Sequence, residues 1–124
     1  MFDHVGLEVT DLERSGRFYD ALMYAIGGRR MFEGPGAIAY GIDRAQLWLV
    51  ARGRGTGADR SAFGHVAITA AGKAAVDAAF AAAMANGGSD EGGPGPRPQY
   101  GPSYYAAYLG DPDGYRVEVV SGAS

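Results

Sequence analysis

The chain has 124 residues, enough for one ordinary domain or for two tightly packed halves of one. It can build a real core, with 47% hydrophobic residues and eight Tyr, five Phe and one Trp for bulk. A formal charge of −3 with scattered arginines gives no basic footprint for nucleic acid. No apolar run reaches the ~20 residues of a membrane span, and the absence of Cys excludes disulfides, thiolate nucleophiles and cysteine metal sites. Asp3 and the strand-like pattern after it do not read as a signal peptide, so a cytoplasmic protein is expected.

Residues 2–9, FDHVGLEV, alternate, with Val5, Leu7 and Val9 on one face and His4, Gly6 and Glu8 on the other, as a half-buried strand does. Thr10 and Glu13 are then spaced as a capping box. Leu12, Phe18, Tyr19, Leu22, Met23 and Ile26 follow helical spacing, and Gly27-Gly28 stops the helix. Three short strands are expected at about 29–33, 36–41 and 45–51, and the polar, Gly-rich residues 52–61 read as a linker.

After the linker the plan starts again. FGHVAIT is a strand and KAAVDAAFAAAMA a helix, with Val76, Ala79, Phe80, Ala83 and Met84 inward and Gly87-Gly88 as its stop. A weak strand is expected near 88–92, and GPGPRPQYGP (93–102) is too Pro-rich for a central strand. Strands at 103–109 and 114–120 are joined by DPDG, a turn in which Pro112 presets φ and Gly114 is free to take φ > 0. The order is βαβββ, linker, βαβββ: module 1–51, linker 52–61, module 62–124, together one α+β domain. An offset of 61 residues maps His4 onto His65 and Tyr19 onto Phe80, which with the matching Gly-Gly stops indicates an internal duplication.

Alternation turns His4 and His65 away from the apolar faces of their strands. On the last strand Glu118 is a carboxylate among β-branched neighbours, sharing a face with Arg116 and Val120, and burying it unpaired would be costly. Two imidazoles and one carboxylate with positions left open form a facial triad for Fe, Mn, Ni or Zn. The competing reading has strand-end histidines bonded to backbone and Glu118 paired with an arginine. The equivalence of the two histidines in the repeat favours the triad, the two rings meeting in one concavity if a pseudo-twofold axis relates the halves.

HVGLEVTDLERSGRFYDAL (4–22), FGHVAI (63–68) and DPDGYRVEVV (111–120) together resemble the vicinal oxygen chelate superfamily, which includes glyoxalase I, extradiol dioxygenases, fosfomycin-resistance transferases and bleomycin-binding proteins. The resemblance implies paired βαβββ modules forming a cupped eight-stranded mixed sheet, usually in a homodimer, with a divalent metal in the cup. By position, His4, His65 and Glu118 match the metal-binding residues. The glyoxalase I pattern places a further Glu on the fourth strand. Here AQLWLVA offers only Gln46 or Trp48, depending on the alignment, and neither is an efficient general base.

The resulting expectation is a metal-dependent enzyme acting on a small oxygen-bearing substrate, not glyoxalase I itself and with no protein base identified. Trp48, Tyr108, Gln46 and Arg116 are candidate substrate contacts, Tyr108 through its likeness to a substrate-contacting Tyr before the same turn in the resistance transferases. Tyr104 and Tyr105 are expected to fill the sheet. The alternative is a metal-free module that binds or sequesters a small molecule such as an antibiotic in an aromatic cup. Neither nucleic acid nor membrane is an expected partner.

Overall fold

Each half of the chain threads one helix between the first and second of its four strands. The computed structural model describes residues 1–51 and 64–123, so the linker expected at 52–61 lies outside the described residues. The first half runs β1 (Val5–Val9), α1 (Leu12–Ala25), β2 (Arg29–Gly34), β3 (Ala37–Gly41) and β4 (Leu47–Ala51). The second runs β5 (His65–Thr69), α2 (Lys73–Met84), β6 (Ser89–Pro96), β7 (Tyr105–Gly110) and β8 (Arg116–Ser121). Among the described residues, no helix is long and apolar enough to cross a membrane.

The strand orders are β1-β4-β3-β2 and β5-β8-β7-β6, the same pattern twice. In both sheets the outer first strand runs parallel to its neighbour and the other pairs are antiparallel. The eight strands expected of the cup are therefore present in one chain as two four-stranded mixed sheets. β1 and β5 each have one hydrogen-bonded neighbour among the described residues, leaving an open edge on each sheet.

Both helices end alike, as the two Gly-Gly pairs predict. Gly27 and Gly87 take φ of +89° and +96°, a conformation that L side chains resist. The following N–H groups then reach back, Gly28 N to Met23 O at 2.8 Å and Gly88 N to Ala83 O at 2.9 Å, satisfying carbonyls that the helix leaves open. The start of α1 differs from the expected capping box. Asp11 is the N-cap, its carboxylate accepting from Arg14 N at 3.0 Å. Thr10 is instead held by Asp113 from the other half, Oγ1 donating to Oδ1 at 2.5 Å.

The alternation of β1 holds: Leu7 and Val9 are buried with Phe18, Tyr19, Leu22 and Leu49 under α1. On α2 the inward residues are Val76, Ala79 and Ala83, whereas Phe80 is only partly buried and Met84 is exposed. Phe80 still packs against the core, so only the expectation for Met84 fails, at the last residue of the Ala-rich helix. α1 packs on α2, and the DPDG turn ties the halves together. Tyr19 Oη donates to the buried Asp111 at 2.7 Å, and Tyr115 Oη donates to Glu8 O at 2.9 Å.

β6 runs further than expected, from Ser89 through Pro96. It is the outermost strand, and its register slips between Asp90 and Gly92 and again between Gly92 and Gly95. Proline is tolerated at such an edge because no ladder donor is needed there.

Candidate functional site

Cross-strand register fixes which side chains share the cup face of the second sheet. Tyr108 on β7 lies opposite Glu118 on β8, Glu118 lies opposite Ala67 on β5, and His65 lies opposite Arg116. The face away from α2 thus carries His65, Tyr108, Arg116 and Glu118 together.

Glu118 is the centre of this group. Its side chain is 2% exposed, and leaving a carboxylate there without partners would cost several kcal/mol. Two groups stabilise it. His65 Nε2 lies within hydrogen-bond reach of Oε1, at 2.9 Å, and Tyr104 Oη donates to Oε2. The second contact assigns a purpose to Tyr104, expected only to fill the sheet. Donation to Glu118, with lesser burial, pushes its hydroxyl up to about 12. Tyr105 projects from the opposite face, its hydroxyl donating to Asp77 of α2 at 2.7 Å.

Tyr108 stands beside the pair, its ring 5.7 Å from the His65 ring and edge-on to it. Burial first, and the Glu118 charge second, raise its hydroxyl above the ordinary phenol value, so it stays protonated. Two cations lie against the same ring, Arg116 at 5.6 Å and Arg97 at 5.8 Å from its centroid. Arg97 was not among the residues singled out from sequence. Its only signal is that GPGPRPQYGP holds a single cation behind small residues; a Cβ on Gly95 would come within 3.2 Å of Arg97 Nη1.

The first sheet carries the equivalent face. Gly6 pairs with Trp48 as Ala67 pairs with Glu118, so Trp48, not Gln46, stands at the position equivalent to Glu118. Trp48 packs on Phe32 at 5.3 Å. His4 is 55% exposed, with Nδ1 2.7 Å from Asp3 Oδ1. Gln46 precedes β4 and, with His4, Ile26, Val66 and Ile68, lines a cavity of about 330 Å³ between the halves. That cavity does not take in His65 or Glu118.

One chain therefore brings His65 and Glu118 together and leaves His4 on the other sheet. Among the described residues, no three His, Asp or Glu side chains converge as a set able to hold a metal ion. The two that do converge have the right chemistry. Imidazole nitrogen and carboxylate oxygen bind divalent ions at about 2.0–2.2 Å, so ligands at right angles stand about 3 Å apart. The 2.9 Å between His65 Nε2 and Glu118 Oε1 suits such a pair.

The two halves share one βαβββ plan, and one sheet face of the second carries an imidazole, a carboxylate and tyrosines together. The chain belongs to the Glyoxalase/Bleomycin resistance protein/Dioxygenase superfamily, whose family model matches residues 1–119. It is similar to a glyoxalase/bleomycin resistance protein from Albidiferax ferrireducens T118, with 32% identity, 98% of each chain covered and a TM-score of 0.85. The fold is also that of the fosfomycin resistance protein FosX from Listeria monocytogenes, at 18% identity, TM-score 0.72 and coverage of 98% of this chain and 93% of that one. Lactoylglutathione lyase from Agrobacterium tumefaciens shares it at 23% identity and TM-score 0.67, covering 99% of this chain and 94% of that one. No curated protein matches the sequence.

Proposed function

We propose that this protein is a metal-dependent enzyme of the superfamily acting on a small oxygen-bearing substrate, and that each of its sites is built by two copies of the chain. The observation that carries this reading is the His65–Glu118 pair at 2.9 Å, on a buried carboxylate, with the equivalent His4 just ahead of the open-edged strand of the other sheet. β1 of one copy beside β5 of another would bring a His4 to the His65 and Glu118 that its own chain does not offer it. His65 and Glu118 of one copy and His4 of a second would then hold the ion. A divalent cation there supplies Lewis-acid polarisation of a substrate oxygen.

The chain's own groups do the rest. Tyr104 fixes the free oxygen of Glu118 and so sets the orientation of the carboxylate. Tyr108 and Trp48 wall the cup with aromatic surface and exclude water from the bound molecule. With Trp48 at the position equivalent to Glu118, β4 carries no carboxylate where the glyoxalase I pattern places its Glu, which argues against glyoxalase I chemistry.

A second reading rests on the fact that both Glu118 oxygens already have protein partners. On it the cup is a metal-free trap, with the Tyr100 and Tyr104 rings tilted against each other at 5.4 Å as part of its wall. Mixed dimers decide between the two. H4A and E118Q are each expected to bind no divalent metal on reconstitution. A heterodimer of the two contains one intact set, His4 from the E118Q chain with His65 and Glu118 from the H4A chain. One metal per heterodimer by elemental analysis is the expected result. Metal-free heterodimers beside a metal-loaded wild type would overturn the shared site, and a wild type that takes up no metal would leave the trap.

A further inference from the structure

The two guanidinium groups against Tyr108 do more than pack. Arg97 and Arg116 both place the guanidinium carbon within 6 Å of one ring centroid, so two like charges share one aromatic neighbour. A cation over that ring gains only a weak interaction where it is exposed to water. Their protein partners leave most of the donors unused. Arg97 donates to two neutral carbonyls, Gly93 O at 3.0 Å and Pro96 O at 3.4 Å, which orient the group without neutralising it. The Arg116 side chain forms an ion pair with Glu91, whose Oε1 stands 3.4 Å from Nε, but its buried Nε makes no hydrogen bond, and the Nη groups are left to face the ring. Glu118, the other carboxylate on this face, is already engaged by His65 and Tyr104.

We propose that Arg97 and Arg116 form an oxyanion subsite, floored by the Tyr108 ring, that takes the carboxylate or phosphoryl group of the small molecule bound in the cup. The fork of N–H donors on each guanidinium matches two oxygens of either group, and an anion between them meets both like charges. Arg116 lies opposite His65 and two residues from Glu118, so a ligand anchored here by its charged end presents its remainder to that pair. Only this last placement rests on the function proposed above; the subsite itself does not depend on a metal.

Inorganic phosphate and acetate are the probes, each titrated at constant ionic strength against chloride, on chelator-treated and on metal-reconstituted dimer. Binding is read by calorimetry and by the rise in Tm. One of the two anions should bind more tightly than chloride, and the tighter one identifies the ligand's charged group. R97Q, on an exposed segment where folding is least at risk, and R116Q should each weaken binding about tenfold or more. Failure of both anions to bind better than chloride, or undiminished binding in the R97Q/R116Q double variant, would overturn the subsite. Anion binding by a protein that takes up no metal would uphold the subsite while removing the metal reading. Metal uptake without anion binding would do the reverse.

Discussion

Trp48 stands in the first sheet where Glu118 stands in the second. Each is the cross-strand partner of the residue two places after a histidine, Gly6 after His4 and Ala67 after His65. The duplicated frame thus offers the same site position twice and fills it once with a carboxylate and once with an indole. If the two faces meet in a dimer, Trp48 accompanies His4 into the cup that His65 and Glu118 line.

Replacing this indole tests that geometry directly. Trp48→Glu adds a second carboxylate beside His4, and Gly6 opposite it leaves room, with nothing within 4 Å of its absent side chain. Losing the contact with Phe32 costs about 1 kcal/mol, which a folded variant survives. A divalent cation should then bind roughly tenfold tighter than in the wild type, as an added ligand worth about 1.4 kcal/mol would give, measured by competition with a chelator. Equal or weaker affinity in a folded dimer would count against a cup shared by these two faces.

Much of this was legible in the sequence because it is local and repeated. The offset between His4 and His65 is a repeat signal, the Gly-Gly pairs are helix stops, and the alternation on β1 and β8 follows from the strand period of two. Trp48 could not be separated from Gln46 until the register with Gly6 was known, since register is a property of two strands. Alternation with Tyr108 puts Tyr104 on the face of Glu118, but Tyr104 lies just before β7, and only the structure brings its hydroxyl to the carboxylate. Arg97 hides in a segment whose prolines argue against a strand, and only the bulged edge of β6 brings it back over Tyr108. Thr10 looked like a helix cap because its pull toward Asp113 comes from the other half of the chain.

That pull joins the halves. Asp113, 3% exposed, accepts from Thr10 N at 3.2 Å, Thr10 Oγ1 at 2.5 Å and Arg14 Nη2 at 3.2 Å. Asp113→Ala removes the shared acceptor of these donors, which are partly open to water, beside an Arg14 Nε that already lacks a hydrogen-bond partner. The expected loss is about 2–4 kcal/mol of unfolding free energy in a urea titration. Asp113→Asn keeps one acceptor and should lose less. A change below about 1 kcal/mol in Asp113→Ala, within the range of an exposed pair, would show that the turn does not hold the halves.

Asp111 next to it gives the fold a pH signature of defined sign. Burial raises its carboxyl above the usual 3.8, against the pull of the Tyr19 hydroxyl and of the Tyr115 and Asp113 N–H groups. Tyr19 keeps its proton throughout, because burial and then the Asp111 charge push its own value well up. An acid raised in the folded state contributes stability that is fully present below its unfolded value and is lost as pH rises through the folded one. Asp111→Asn retains an acceptor for the two N–H groups and removes the titration. Wild type should therefore lose stability relative to Asp111→Asn as pH rises from about 3, starting near the unfolded value of about 3.9, and the difference should level off once the carboxyl is ionised. Unfolding free energies of the two proteins across pH 3–7 measure this. A wild type that gains on the variant over that window would mean the Tyr19 and backbone donors outweigh burial, and that ionised Asp111 stabilises the turn.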